Sequence, residues 1–263
     1  MYQFDQDTQV KKESAGCFLG RVDSGWNIGD NPNGGYLVSV VDSAARALVS
    51  HPDPVSLTTH FLRPGIPDES CLINVEVVRS GRTMTTVRAN LVQEHKVRLA
   101  VLAVYADLSL PIGVDSDITV PEPQMQPPEH CIARTGDLQG IDIALMSKLD
   151  VRVQPELAIP GESGKPQIGG WIRHKDGRDP DVSSLLLFVD SFPPSPLGAL
   201  GAVGWVPSVE LTVHIRRRPA PGWIKASLQT EDLIGGRMIE TGCLWDSTGV
   251  LVAQSRQLAL VRD

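Results

Sequence analysis

The 263-residue chain has four cysteines, Cys17, Cys71, Cys131 and Cys243, and no CxxC pair among them. Thiols scattered in this way fit neither a zinc site nor a disulfide framework and are read as reduced. No apolar run approaches ~18 residues, so no membrane span is expected. Positive charge is scarce: 24 Lys and Arg against 31 Asp and Glu leave a net charge of −7. That balance argues against unspecific binding to nucleic acid or to anionic membranes, which need clustered positive charge. Met1 to Lys12 is polar and carries no apolar signal core, so a cytoplasmic location is expected.

The common catalytic signatures are missing as well. Without a GxSxG elbow, a serine hydrolase of the α/β type is disfavoured. Phosphate-cradling GxxxxGK(S/T) and GxGxxG loops do not occur. Six histidines, at 51, 60, 95, 130, 174 and 214, show no HxH or HExxH spacing, and no metal site is expected.

What the chain does have is a repeat. Val41-Asp42-Ser43 returns as Val189-Asp190-Ser191, and Leu57-Thr58-Thr59-His60 as Leu211-Thr212-Val213-His214. Arg63-Pro64 matches Arg218-Pro219, Gly81-Arg82 matches Gly236-Arg237, and Val97 to Ala100 matches Val250 to Ala253. A constant long period is the mark of duplicated structural units. The hydrophobic content of 41% is enough for two cores.

Periodicity describes one unit. Leu37, Val40, Val41, Ala44, Ala45 and Leu48 form the stripe of a helix over Gly35 to Leu48. Four strands are predicted after it, Val55 to Leu62, Cys71 to Arg79, Thr83 to Gln93 and Val97 to Leu108, with turns at Gly81 and Glu94 to Lys96. Five prolines between 111 and 128 mark an extended connector. In the second unit, Asp179-Pro180 reads as a helix start, Pro193-Pro194 as its end, and Ser208 to Ile215 as an alternating strand. Strands at Trp223 to Leu228, Arg237 to Trp245 and Val250 to Leu260 complete it.

The expected division is residues 1–109, a Pro-rich connector 110–145, and residues 146–263. One striped helix per unit must bury itself against a sheet. The expected fold is therefore α+β, a tandem or double hot-dog, each half a long helix wrapped by a curved antiparallel sheet. Its two sheets would pair edge to edge and remove two exposed edges.

Asp190 violates a local rule. It ends the apolar run Leu185 to Val189, where a negative charge opposes the helix dipole. A solvated helix-end Asp is one reading and a functional carboxylate the other. Ser208 opens the following strand on its polar face, and Gln257 shares a strand face with Ala253, Ser255 and Ala259, small residues that allow a helix to pack closely. A buried amide needs partners, which a carboxylate and a water would supply.

Together with Gly34-Gly35 and Phe61-Leu62-Arg63-Pro64 in the first half, the segments Val189-Asp190, Pro207 to Glu210 and Val252 to Gln257 resemble the double-hot-dog acyl-CoA thioesterases, the thioesterase II family. The resemblance covers nearly the whole chain. It implies that Asp190, Ser208 and Gln257 are the catalytic set, with Ser in place of the commoner Thr. It also implies hydrolysis of a fatty or modified acyl-CoA to free acid and coenzyme A, with no cofactor beyond the coenzyme A of the substrate, and possible assembly into homo-oligomers. Asp42, seven residues after Gly35, resembles the acid of single-hot-dog thioesterases and marks a possible second site with Gly35, although Val104 stands where the second copy has Gln257. The plainer reading of Asp42 is a residue flanking the helix stripe. Arg216 to Arg218 read either as contacts for coenzyme A phosphates or as a solvated strand end. Two rival functions remain: a hot-dog enoyl-CoA hydratase, which wants a helix-borne His that neither helix has, and a non-catalytic acyl-CoA sensor.

Overall fold

Alternating side chains build most of the molecule. The computed structural model describes residues 1–114, 117–136, 140–202 and 205–262. Among these residues, thirteen strands join into one sheet: β1 Lys11–Ser14, β2 Cys17–Arg21, β3 Asp53–Phe61, β4 Ser70–Ser80, β5 Thr85–Gln93, β6 Lys96–Ala106, β7 Ile132–Ala133, β8 Leu149–Val153, β9 Gln167–His174, β10 Ser208–Ile215, β11 Ile224–Ile234, β12 Arg237–Trp245 and β13 Leu251–Leu260. Their order is β1-β2-β4-β5-β6-β3-β10-β13-β12-β11-β9-β8-β7, with antiparallel pairing at the centre and in both wings. The order from β2 to β3 is thus mirrored from β10 to β9.

The mirror lies at the β3–β10 seam, where Thr58 is the partner of Thr212. These two threonines are repeat equivalents, and their hydroxyls hydrogen-bond to each other at 2.9 Å. A residue that meets its own copy across an antiparallel pair sits on the pseudo-two-fold axis. The duplication therefore closes upon itself, covering the β3 and β10 edges that separate sheets would expose.

The helices are α1 Gln3–Asp7, α2 Gly34–Arg46, α3 Val182–Phe188 and α4 Leu197–Leu200, and α2 and α3 pack along this seam. Helix α2 matches the predicted stripe, starting one residue early and ending two before Leu48. Helix α3 differs from expectation in two respects. Its N-cap is Asp181, not Asp179: the Asp181 carboxylate accepts the Ser184 N–H at 2.8 Å, and Ser184 returns a capping-box contact. It is also short, seven residues, so among the described residues the second half lacks the long helix predicted for both. The chain leaves the helical path at Val189, its C-cap. Beyond it the Ser191 hydroxyl donates to the Leu187 carbonyl at 2.7 Å, satisfying one of the last acceptors.

α2 and α3 touch backbone to backbone. A Cβ on Gly35 would stand 2.6 Å from the Leu186 carbonyl oxygen and 2.9 Å from the Leu187 Cα. Only glycine permits that approach.

The Pro-rich stretch lies against the second half. Trp245 donates its indole N–H to the Val120 carbonyl at 3.0 Å, and Trp171 donates to that of Gln126 at 2.8 Å. Further along it, Arg134 reaches the interior and donates to the Ser191 carbonyl at 2.5 Å.

Candidate active site

One position explains why Asp190 breaks its local rule. The residue follows the C-terminal end of α3, where a carboxylate is disfavoured. Its side chain, however, points at the N-terminal end of α2, where unpaired N–H groups favour one. Asp190 Oδ2 accepts the Gly35 N–H at 3.0 Å and the Asn33 side-chain amide at 3.1 Å. The same amide donates to the Asp190 carbonyl at 2.7 Å, while Asn33 Oδ1 caps α2 by accepting the Tyr36 N–H at 2.9 Å. Gly34 serves the approach too: a Cβ there would fall 2.9 Å from Asp190 Oδ2 and 2.9 Å from the Phe61 ring.

The other carboxylate oxygen faces the sheet. Gln257 Nε2 donates to Asp190 Oδ1 at 3.1 Å and to Ser208 Oγ at 2.5 Å. The three residues singled out in the second half therefore meet. Gln257 lies on the buried face of β13 with Ala253, Ser255 and Ala259, all buried, as the small-residue pattern predicts.

Ser208 arrives by a route that alternation misses. Strict period two would place it outward with Glu210, Thr212 and His214. A bulge between Ser208 and Glu210 inserts one residue, so Ser208 is the partner of Ala259 while Leu211 is that of Gln257. The extra residue turns Ser208 to the inner face.

These groups border a cavity of about 410 Å³, with Phe61, Leu37, Val189 and Leu228 among its apolar walls and Arg63 and Arg262 among its charged ones. Two buried ionisable residues that the sequence did not point to also line it, Glu240 and Arg134. Glu240 left a signal: it shares the inward face of β12 with Met238, Gly242 and Leu244. Asn33 left one as well, an N-cap residue before Gly-Gly at a helix start. Arg134 left none, because a short irregular segment places it.

Burial pushes the Asp190 carboxyl up from the usual aspartate value; the Gly35 N–H, Gln257, the Gly34 N–H and the charge of Arg134 pull the other way. Burial likewise raises Glu240 to about 7, against two hydrogen bonds from Ser195 and with the help of the Asp190 charge. Arg134 is lowered to about 10 by burial, and Asp190 opposes this.

Of the remaining residues, Gly35 joins this cluster through its N–H and Asp42 does not. Asp42 is fully buried between α2 and α3, accepting from the Tyr105 hydroxyl at 2.9 Å and the Ser183 hydroxyl at 2.6 Å, with the Arg46 guanidinium 3.8 Å away. It does not border the cavity. Arg218 is held by Asp53 at 2.7 Å and Asp107 at 3.2 Å, Arg217 pairs with Asp117, and none of Arg216 to Arg218 lines the cavity.

Residues 22–108 match the model of the acyl-CoA thioesterase N-terminal domain, and residues 121–261 that of the acyl-CoA thioesterase C-terminal domain. The chain belongs to the acyl-CoA thioesterase family. A candidate thioesterase II from Thermobifida fusca YX is similar to it at 30% identity and a TM-score of 0.88, over 100% of this chain and 98% of that one. A protein of unknown function with a hot-dog fold from Alicyclobacillus acidocaldarius superimposes at a TM-score of 0.86 with 21% identity, covering 100% and 99% of the two chains. An uncharacterized protein of Mycobacterium tuberculosis is 28% identical over 284 residues, 97% of this chain and 94% of its own length. The thioesterase family assignment and the hot-dog likeness agree with the α+β fold.

Proposed function

We propose that this thioesterase-family chain hydrolyses acyl-CoA, with Asp190 as general base and Gln257 and Ser208 as the groups that hold the attacking water. The two halves then act as a tandem hot-dog pair, divided near residues 109 and 146, whose seam carries the reaction. The observation supporting this most directly is the convergence of the Asp190 carboxylate, the Gln257 amide and the Ser208 hydroxyl at the wall of one cavity.

The chemistry is metal-free. A water oxygen attacks the thioester carbonyl carbon while its proton passes to Asp190. The tetrahedral intermediate collapses, the C–S bond breaks, and the proton returns to the departing thiolate, leaving acid and free coenzyme A. Ser208 accepts from Gln257, so its own hydroxyl hydrogen is left to donate toward the water or the oxyanion. The Gly34 and Gly35 N–H groups stabilise the carboxylate instead, opposing the upward push of burial on its pKa. No further cofactor is called for, since coenzyme A enters and leaves with the substrate.

Against the hydratase reading stands the cavity lining, which includes no histidine among the described residues. No described helix is long and apolar enough to cross a membrane. A cytosolic enzyme acting on acyl-CoA thioesters, alone or as an oligomer of such chains, is the setting that fits the composition.

Free thiol released from acyl-CoA, followed with a thiol reagent, tests the proposal. Asp190→Asn should lower kcat by about 10²–10⁴-fold, the usual worth of a general base, with KM nearly unchanged. Binding of acyl-CoA with no thiol release by the unsubstituted protein would instead make it a sensor. The acid limb of kcat/KM should also lie above the ordinary aspartate range, since burial raises Asp190.

A further inference from the structure

Glu240 sits where a fatty chain would be expected to meet only hydrocarbon. It is 5% exposed, borders the cavity, and is the cross-strand partner of Gln257. Neighbouring strands are about 4.8 Å apart, so its carboxyl lies roughly one strand spacing from the amide at the reaction centre, a few bonds along an acyl chain. Beside it is a small polar layer: Glu240 Oε2 accepts the Ser195 N–H at 3.0 Å, and the Ser195 hydroxyl bonds that of Thr230 at 2.7 Å, all three residues being buried. Methylenes packed on a carboxyl strip its water and return no hydrogen bond, a cost of about 1–3 kcal/mol for a polar group left unpaired. A hydroxyl on the chain avoids that cost.

The charges favour a neutral group over an acidic one. Among the described residues, the buried part of the wall carries Asp190 and Glu240 with one buried cation, Arg134, whose charge acts on Asp190, while the exposed Arg63 and Arg262 also line the cavity. A substrate carboxylate would add a further negative charge in a region of low dielectric.

We propose that the pocket selects a neutral acyl group bearing a hydroxyl a few carbons from the thioester, with Glu240 as the hydroxyl's partner. This rests on the thioester-hydrolase reading for the position of the carbonyl. Glu240 is then a specificity residue, and its bond to Ser195 orients it.

The full chain would be assayed with hexanoyl-CoA, 3-hydroxyhexanoyl-CoA, 6-hydroxyhexanoyl-CoA and adipoyl-CoA. One hydroxylated thioester should exceed hexanoyl-CoA in kcat/KM by about 10-fold, the worth of one well-placed hydrogen bond, and adipoyl-CoA should be poorest. Glu240→Leu should bring the ratio of hydroxylated to plain substrate close to one, while Glu240→Gln, which keeps a donor and an acceptor, should preserve most of it. A purely structural Glu240 would leave the ratio near one in the unsubstituted protein, which overturns the inference without needing either variant to fold. A preference for adipoyl-CoA overturns it as well. If no thioester is cleaved, the hydrolase reading fails separately. Dissociation constants of non-cleavable hexyl and hydroxyhexyl CoA thioethers then decide, and equal values sink the inference.

Discussion

Asp190 is a carboxylate stabilised by a helix that is not its own. The residues that make this possible are Gly34 and Gly35, whose missing side chains let the carboxylate and the α3 backbone come close. Gly35→Ala forces a Cβ to within 2.6 Å of the Leu186 carbonyl oxygen, which cannot retreat without moving α3. Overpacking of this kind costs ~1–3 kcal/mol, and chemical denaturation should show a loss in that range. Because the displaced N–H is the one bonded to Asp190, kcat should fall as well, more than for Ala substitution at an exposed glycine such as Gly81. The anomaly at Asp190 was legible in the chain because a negative charge ended an apolar helical run. Its partner at Asn33 was not, since nothing local relates residues 157 positions apart.

Among the elements, α2 and α3 show how a duplication diverges. Asp42 and Asp190 are repeat equivalents, yet one is locked among Tyr105, Ser183 and Arg46 while the other faces a cavity. Asp42→Ala removes the acceptor for two buried hydroxyls and the counter-charge of Arg46. Leaving a buried hydroxyl without its partner costs about 1–3 kcal/mol, so the urea midpoint should drop markedly while kcat of the molecules that remain folded changes by less than about 2-fold. A loss of kcat with unchanged stability would instead identify a second reaction site around Asp42. Most strand boundaries were readable from alternation to within one or two residues, since turn residues punctuate them; β11 is the exception, running past the predicted end at Leu228 to Ile234. The β10 bulge and the early end of α3 were not. Each follows from contacts across the sheet or between halves, and neither changes local residue preference.

At the scale of the whole molecule, two buried titratable groups pull stability in opposite directions over one pH range. Glu240 is raised from 4.5 to about 7, so the native state holds its proton more tightly. Its contribution is complete below pH 4.5 and is lost as pH rises through about 7. His174, buried between the Phe4 and Phe188 rings, is lowered from 6.5 to about 4, chiefly by burial. Its contribution is complete above pH 6.5 and is lost as pH falls through about 4. Each full shift is worth about 3 kcal/mol at ~1.4 kcal/mol per unit, so the two slopes offset between pH 4.5 and 6.5. Glu240→Gln removes one of them. The stability of that variant relative to the unsubstituted protein should increase by about 3 kcal/mol from pH 4.5 to 7, measured by urea unfolding at each pH. A constant difference would show that Glu240 titrates normally.

Sequence by itself determined the duplication, the helix-and-strand pattern of each half, and, through Asp190 and Gln257, part of the polar cluster at the cavity wall. All of these are carried by local periodicity or by residues that break it, and such patterns need no knowledge of distant neighbours. Only the tertiary structure decided that Asp190 answers to α2, that Ser208 turns inward through a bulge, and that Glu240 and Arg134 enter the same cavity. Those facts depend on which segments meet across the seam, and hydrophobic patterning specifies that a face is buried without specifying what it is buried against.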